Sequence, residues 1–449
     1  MIFALMIGTL SLVLINYKIS GGDYFYPPVI FAFMFFISSL ICAFNLKKYD
    51  ITITAATVLI ILIAILIFTL VGIYFRSISP NKATIPLKVY PIEIGTIYYI
   101  ILVAIQIISI IFFIKYLHNL AAAYIGAGYR LNGPANLSGL IGLYDSLTKF
   151  WPDIYNSLAV KTPIMYSLTN PISAAGEYLC IYIAVNNFFA KVSINKFTYV
   201  VVVLAVVRVL LNGSRTPIFR IITFIVFLIF YFSVKCGKFK LGNKKFLLKT
   251  IGVLILAIIL FYFLQFVIGR KVENISFGNS FFTYAGAPLL NINNFLMHQN
   301  ISFFEGINNT NLIGAHVFSS LYSYIGKLLK VPINNPSILI FTYSNNGIET
   351  GNVYTMFYPI IYDFGYFGIL IFLTVEAGYY CYFYNKNNSS PLKNGIPISV
   401  FIYAYLFNDL IMSTFSNRFY STVLDAPFIK MVIVTWIMTK FINMIKKKY

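Results

Sequence analysis

The amino-acid sequence predicts an all-α, polytopic integral membrane protein with about 11–12 transmembrane helices and one large outer loop. Its composition is the first reason, because 59% of the 449 residues are apolar and only 10% are charged, outside the range of soluble globular domains. The second is a series of eleven long apolar stretches, most of them near the roughly 20 residues that a helix needs to cross a bilayer. We therefore expect a single membrane domain over residues 1–449, surrounded by the lipid bilayer.

The apolar stretches follow one another along the whole chain, separated by polar or basic segments. The first stretch has neither a basic leader nor a small-residue cleavage site, so we interpret it as a retained span and not as a signal peptide. The stretch at 197–211 is short for a span. In chain order, the eleven stretches cover residues 1–17, 25–44, 51–75, 92–116, 162–190, 197–211, 217–235, 248–268, 354–384, 396–415 and 424–444.

A lysine-rich loop sets the predicted orientation. Six lysines lie between positions 235 and 249, and loops rich in lysine stay on the cytoplasmic side of a membrane. Counting from this loop places the turn at 212–216 and the segment 269–350 outside, and the C-terminal lysines inside. The segment 269–350 is then the large outer loop, and its aromatic content favours an ordered structure.

The N-terminal half leaves two arrangements open. Lys47, Lys48 and Lys115 favour the inside, which requires one more crossing within residues 121–158 and gives twelve crossings with both chain ends inside. Without that crossing the chain crosses eleven times and its N-terminus lies outside. We favour the twelve-crossing arrangement, although it leaves three cations outside, namely Arg76, Lys82 and Lys88.

Charge and cysteine content exclude several classes of function. The formal charge of +20 is carried largely by short loops and not by a solvated basic domain, so we expect no nucleic-acid partner. The four cysteines have neither zinc-site spacing nor a disulfide framework. The outer segments contain no acidic pair typical of a magnesium site. We therefore expect neither a metal nor a cofactor.

The most distinctive feature is a group of arginines at a break between two apolar stretches. Arg208, Arg215 and Arg220 fall within thirteen positions, around a polar segment that contains Gly213 and Pro217. The glycine and the proline predict that one helix ends and the next begins there. An arginine in lipid costs roughly 2.5 to 3.5 kcal/mol at a helix centre, so these side chains should face protein or a wet cavity. Guanidinium forks and the free amides of a helix start both bind anions.

Further cations extend this group on the outer side. Arg270 and Lys271 follow the span 248–268, and Arg418 lies between the last two spans. Cations at an outer boundary oppose the positive-inside tendency, which favours a binding role for them. The ligand that we expect for the whole group is a diphosphate.

A second set of candidate residues lies where the outer loop enters the span 354–384. Asp363 falls inside this apolar stretch, where a carboxylate needs a partner or a wet cavity. Pairing with one of the arginines and action as a base are both open, and Glu177, Glu376 and Asp409 are rival partners for the arginines. The outer loop adds three candidates for a general base, namely His298, His316 and Glu349.

These motifs, taken in order, resemble the Wzy-type oligosaccharide repeat-unit polymerases of bacterial O-antigen and capsule synthesis. The resemblance rests on the turn Gly213-Ser214-Arg215-Thr216, on Tyr284 after Arg270, and on Asn352-Val353-Tyr354-Thr355 followed by Asp363-Phe364-Gly365-Tyr366-Phe367-Gly368. It covers residues 200–385 in detail, whereas the earlier spans are similar only in their hydropathy.

The resemblance implies a polymerase of the bacterial inner, or plasma, membrane that transfers a glycan from undecaprenyl diphosphate to the non-reducing end of another lipid-linked repeat unit. Its partners are then the lipid-linked oligosaccharide and a separate chain-length regulator. By position, Arg215 and Arg208 are the catalytic candidates for stabilising the diphosphate, and Asp363 and His316 are candidates for the base. The substrate-binding candidates are Arg220, Arg270, Lys271, Tyr284, Tyr354 and Arg418.

Two other classes of function remain open. An O-antigen ligase uses the same kind of donor and has a similar outer loop, and it requires a histidine-bearing motif in that loop. A lipid-linked oligosaccharide flippase also carries cations that face a cavity, but it is expected to have short loops and two related halves. The long segment 269–350 argues against the flippase.

Overall fold

The computed structural model describes residues 1–78, 87–131, 136–237, 277–307, 312–329, 340–392 and 395–446, together with the isolated positions 248 and 252. Within these residues the chain is mainly helical, and a single two-stranded antiparallel sheet is present. Seven helices are long and apolar enough to cross a membrane, and two shorter apolar helices accompany them. The predicted all-α, multi-pass membrane character is therefore confirmed. The predicted span at 248–268, with Arg270 and Lys271 after it, lies outside the described residues.

Most helices begin and end within a few residues of the predicted apolar stretches; α5 is the main exception, since it continues ten residues beyond its stretch to position 126. In chain order the elements are α1 (Ile2–Ile19), α2 (Pro27–Phe44), α3 (Leu46–Tyr49), α4 (Ala55–Ser77), α5 (Thr96–Gly126), α6 (Leu137–Lys149), α7 (Pro152–Ser157), α8 (Ile164–Ala190), α9 (Phe197–Leu211), α10 (Thr216–Lys235), α11 (Phe277–Ala285), α12 (Ala287–His298), α13 (Ser319–Leu329), β1 (Thr342–Tyr343), β2 (Glu349–Gly351), α14 (Phe357–Ser389), α15 (Ile398–Ile411), a 3₁₀ turn (Met412–Thr414), α16 (Arg418–Val423) and α17 (Ala426–Lys446).

The long helices run between two ends of one bundle. We call the end that carries the turn at 212–215 the arginine end, and the opposite end, where α10 finishes at Lys235, the lysine end. At the lysine end Lys235 donates hydrogen bonds to backbone carbonyls at positions 388 and 390, where α14 finishes. Its own carbonyl accepts from the backbone N–H of Leu87, so the segment before α5 also lies at the lysine end.

The contacts of the first helices show at which end of the bundle α1 begins. The carboxylate of Asp23, between α1 and α2, accepts a hydrogen bond from Tyr384 near the end of α14, and Arg76 lies beside Gly21. The segment between α1 and α2 is therefore at the lysine end, and α1 begins at the arginine end. Arg76 therefore lies at the same end as Lys235, whereas the twelve-crossing arrangement placed it on the opposite side from the lysine-rich loop.

The expected extra crossing within residues 121–158 is wrong. The described residues of this segment contain the end of α5 and two helices of 13 and 6 residues, which are too short to cross a bilayer. Leu140 and Ile141 of α6 pack against apolar residues of α5 and against Leu211 at the end of α9. The two short helices therefore stay at the arginine end, and the chain begins and finishes at opposite ends of the bundle.

The preference of Lys47 and Lys48 for the lysine end is wrong as well. The loop between α2 and α4 lies at the arginine end, where the Asn293 side chain of α12 bonds the backbone at Thr52 and Thr54. Asn346 of the β-hairpin donates to the carbonyl of Lys48. These polar contacts outweigh the weak statistical preference of two lysines.

The described part of segment 269–350 is ordered, as its aromatic content predicted. It forms α11, α12, α13 and the β-hairpin, and it packs against the arginine end. Asn291 of α12 is fully buried and donates to the carbonyl oxygen of Val353 at 2.9 Å. The ring of Tyr49 stacks on Phe282 with centroids 3.8 Å apart, which fixes α11 on the loop before α4.

Candidate functional site

The turn between α9 and α10 is a true helix break, as the sequence predicted. The helix α9 ends at Leu211, and α10 begins at Thr216 with Pro217 in its first turn. Gly213 has a φ of +65°, and a Cβ atom at this position would lie 2.7 Å from Cβ of Asp145. Only glycine combines this conformation with so close an approach, so Gly213 lets α6 pack directly on the turn before Arg215.

Arg208 is bound by a carboxylate and an amide within the bundle. It donates to Oε1 of Glu177 at 2.6 Å and to Oδ1 of Asn170 at 2.7 Å, both on α8. The two side chains of the ion pair are 10% and 2% exposed. The predicted rival partner Glu177 is thus confirmed for Arg208, and this arginine links α8 to α9.

Arg220 has a similar position one turn into α10. Its two terminal nitrogens donate to both oxygens of Asp409 on α15, at 3.2 and 2.7 Å, which is the bidentate geometry of a strong ion pair. The guanidinium also lies 4.5 Å from the ring centroid of Tyr405. Asp409 is therefore confirmed as a second rival partner. Glu376, the third, is fully buried, and neither of its oxygens has a hydrogen-bond partner in the described part of the chain.

The two buried glutamates give a matched test of these contacts. We expect Glu177→Gln to lower the free energy of unfolding by about 3 kcal/mol, because it leaves Arg208 as a buried cation without its counter-charge. We expect Glu376→Gln to change stability little, since glutamine loses no hydrogen bond or ion pair of Glu376. Thermal unfolding of both variants in the same detergent measures the difference; equal effects would contradict the assigned role of the Glu177–Arg208 pair.

Arg215 and Arg418 lie at the two ends of a row of aromatic rings. Arg215 donates to the hydroxyl of Tyr284 at 2.6 Å, and its guanidinium carbon is 5.3 Å from the centre of that ring. Tyr284 stacks on Phe415 with centroids 5.9 Å apart, and the guanidinium carbon of Arg418 lies 5.7 Å from the Phe415 centroid. We call these four residues the arginine–aromatic row. It brings together three candidates from separate parts of the sequence.

Arg418 differs from Arg208 and Arg220 in its partners. Its guanidinium makes no hydrogen bond or ion pair with the residues that the structure describes, and its Nε is buried. It is the first residue of α16 and lies near the buried pair of Arg220 and Asp409. Its hydrogen-bond donors are therefore not used by a carboxylate of the described chain.

Asp363 pairs with a histidine and not with an arginine. Its carboxylate accepts from the backbone N–H groups of His316 and Val317, at 2.9 and 2.8 Å, and contacts Nδ1 of the His316 ring at 2.9 Å. Of the two roles left open for Asp363, pairing with an arginine is therefore contradicted. A carboxylate at Nδ1 assigns the proton of a neutral imidazole to that nitrogen, which leaves the lone pair of Nε2 to accept a proton.

The helix that carries Asp363 is interrupted two residues later. Gly365 has φ +62° and ψ −163°, a conformation that is essentially restricted to glycine. A Cβ atom there would lie 2.6 to 3.0 Å from the carbonyl oxygens of Ser302, Phe303 and Glu305. The backbone of residues 302–307 thus enters the break, and Phe303 accepts a hydrogen bond from the N–H of Phe367 at 2.8 Å.

The remaining predicted residues lie apart from these two groups. The His298 ring contacts the carbonyl of Asn294 within its own helix, and Glu349 is on the exposed side of β2. The Tyr354 hydroxyl donates to the carbonyl of Ile340 at 2.8 Å, and its ring stacks on Tyr358. Arg270 and Lys271 lie outside the described residues. Of His298, His316 and Glu349, only His316 contacts a carboxylate of the described chain.

Three residues of the site were not predicted from the sequence. Phe415 carries no chemical signal, since its place between two arginines depends on the fold. Asn170 lies on α8, far along the chain from Arg208. The ring of Tyr362 contacts the His316 ring, with centroids 4.2 Å apart. In the sequence, only its position directly before Asp363 points to a place in the site.

The arginine–aromatic row and the His316–Asp363 pair lie at the same end of the bundle. Phe318 follows His316 and contacts Phe372 at 5.9 Å between centroids, and Phe372 contacts Tyr420 at 5.1 Å. Tyr420 belongs to the short helix that begins at Arg418. The chain just after His316 and the helix that begins at Arg418 are therefore joined through packed aromatic rings. A comparison of the chain with family models, with curated proteins and with solved structures finds no match to any of them.

Proposed function

We propose that this protein is a polysaccharide polymerase of the Wzy type, which transfers a glycan from undecaprenyl diphosphate to the non-reducing end of a second lipid-linked repeat unit. The observation that carries the proposal is the presence of two arginines and a carboxylate-bound histidine at one end of a helical membrane bundle. The reaction needs a cationic site for a departing diphosphate and a base for an acceptor hydroxyl. The motif resemblance described above supports the same activity.

The proposed topology follows from the two ends of the bundle. We assign the lysine end to the cytoplasm, because Lys235 and the lysines after it lie there or follow it in sequence. The arginine end then faces outward in a bacterial plasma membrane, and the predicted span at 248–268 carries the chain to the outer segment. This arrangement has eleven crossings, with the N-terminus outside and segment 269–350 as the large outer loop.

In the proposed step, Nε2 of His316 accepts the proton of the acceptor hydroxyl. At the same time, the oxygen of that hydroxyl attacks the anomeric carbon of the donor sugar. A new carbon–oxygen bond forms, the bond between that carbon and the diphosphate oxygen breaks, and the electron pair leaves with the diphosphate. Asp363 keeps Nδ1 protonated and fixes the ring, so it is a positioning residue. Arg215 and Arg418 stabilise the charge that develops on the diphosphate.

The partners of the arginines divide them into two roles. Arg208 and Arg220 hold Glu177 and Asp409 and so stabilise the packing of α8, α9, α10 and α15. We therefore transfer the diphosphate-binding role from Arg208 to Arg418, which has no ion pair within the described chain. Arg215 keeps its predicted role, with Tyr284 holding its guanidinium.

Conservative substitution of the two arginines tests this division. We expect Arg215→Lys and Arg418→Lys each to lower the rate of elongation by about 100-fold, because lysine keeps the charge but loses the planar fork. The midpoint of thermal unfolding of Arg418→Lys should stay near that of the parent protein, whereas Arg220→Lys should lower it through loss of the bidentate contact. Unchanged elongation by Arg418→Lys would remove that residue from the proposed site.

An O-antigen ligase is the second candidate, and the His316–Asp363 pair supports it as well, because a ligase also needs a base in the outer loop. Both candidates are tested by incubating the purified protein with lipid-diphosphate repeat units, with and without lipid A core. A ladder of chain lengths without the core supports the polymerase. Transfer to the core alone supports the ligase, and movement of the lipid across vesicles without any transfer supports a flippase.

A further inference from the structure

The rings of a histidine and a tyrosine, each of which carries a hydrogen-bonding group, lie against each other at the proposed acceptor site. The rings of His316 and Tyr362 have centroids 4.2 Å apart and planes at 51°. Among the described residues, neither Nε2 of His316 nor the hydroxyl of Tyr362 has a hydrogen-bond partner. The His316 side chain is 9% exposed, and Tyr362 is partly buried. A molecule that reaches Nε2 therefore approaches beside the Tyr362 ring.

The position of Tyr362 is fixed by its surroundings. Its ring stacks on Phe295 with centroids 6.2 Å apart and contacts Tyr358 at 5.7 Å. Its backbone carbonyl accepts a hydrogen bond from the N–H of Ile307 at 2.8 Å. A hydroxyl that is held in this way costs little entropy when it binds a ligand.

We propose that Tyr362 determines acceptor specificity by binding the hydroxyl group next to the one from which His316 takes the proton. The inference rests on the proposed function and assigns the acceptor to a chemical class, a terminal sugar ring with two neighbouring hydroxyl groups. One sugar hydroxyl donates a hydrogen bond to Nε2 of His316. The other donates a hydrogen bond to the phenol oxygen of Tyr362 or accepts one from its O–H. Asp363 fixes the first group through Nδ1, and Phe295 and Tyr358 fix the second.

The test compares two acceptors with the intact protein and its Tyr362→Phe variant, which keeps the ring and loses the hydroxyl. One acceptor is the lipid-linked repeat unit, and the other is its analogue in which the hydroxyl next to the acceptor hydroxyl is replaced by hydrogen. We expect the parent protein to prefer the complete acceptor by about 10- to 100-fold in kcat/KM. The variant should lose this preference, chiefly through a higher KM for the complete acceptor.

Tyr324→Phe is the matched control, since Tyr324 is an exposed tyrosine on α13 and its variant should keep the preference of the parent protein. A Tyr362→Phe protein that elongates the complete acceptor with undiminished preference would overturn the inference, while leaving the polymerase intact. Failure of the proposed function has a different result, because the parent protein then elongates neither acceptor, and the inference falls with it.

Discussion

Replacing Gly365 by alanine should abolish chain elongation and lower the free energy of unfolding by about 3 kcal/mol or more. The backbone conformation of Gly365 is strained for any residue with a Cβ, and three carbonyl oxygens lie 2.6 to 3.0 Å from the position of that atom. These oxygens belong to backbone, so they cannot move aside as the end of a side chain does. The segment 302–307 would be expelled from α14, and Asp363, two residues before the break, would lose its position against His316.

Gly378→Ala is the matched control on the same helix. Among the described residues, a Cβ atom at Gly378 would have only the ring of Phe75 within 4 Å, at 3.9 Å, so we expect parent-like stability and activity. Thermal unfolding in detergent and elongation of lipid-linked repeat units measure both variants. If Gly365→Ala unfolded at the temperature of Gly378→Ala and remained active, the break in α14 would have no part in forming the site.

Loss of the His316–Asp363 pair should have the second large effect. We expect His316→Gln to lower the rate of elongation by about 100- to 10,000-fold, because glutamine offers no group that accepts the proton of the acceptor. Asp363→Asn should lower the rate by a similar factor, since the amide no longer fixes the proton on Nδ1. The loss should appear in kcat, with the affinity for the lipid-diphosphate donor preserved, because the donor binds at the arginine–aromatic row.

His298→Gln controls for the loss of a histidine from the same segment. Its ring contacts a carbonyl of its own helix, and we expect its rate to match the parent protein. Donor binding is measured separately with undecaprenyl diphosphate on the purified variants. A His316→Gln protein with a parent-like kcat would show that the base is another group, or that the reaction needs none.

The helix break and the grouping of cations could be predicted from the sequence, because each depends on local chemistry. Gly213 and Pro217 end one helix and start the next wherever they occur in this pattern. The cost of an arginine in lipid predicts an interior or wet position for Arg215 without any knowledge of the fold. The apolar stretches predicted the positions of the long helices for the same reason, since length and hydropathy alone decide whether a helix can span a membrane.

The partners of the charged residues could not be predicted from the sequence, because they depend on which helices pack together. Asp409 lies 189 residues after Arg220, and no local pattern distinguishes it from Glu376 as a partner. Asp363 and His316 are 47 residues apart, and the backbone of residues 302–307 meets α14 at Gly365, two residues after Asp363. The predicted topology of the N-terminal half was wrong for a related reason, since Asn293 and Asn346 hold the Lys47–Lys48 loop at the arginine end.

The most direct measurement is the product of the purified protein in vesicles that contain lipid-diphosphate repeat units and no other protein. We predict a ladder of glycans separated by one repeat unit, with one undecaprenyl diphosphate released for every unit added. The ladder should be lost with His316→Gln and greatly shortened with Arg215→Lys. Release of undecaprenyl diphosphate without longer glycans, or no release from a folded parent protein, would contradict the polymerase.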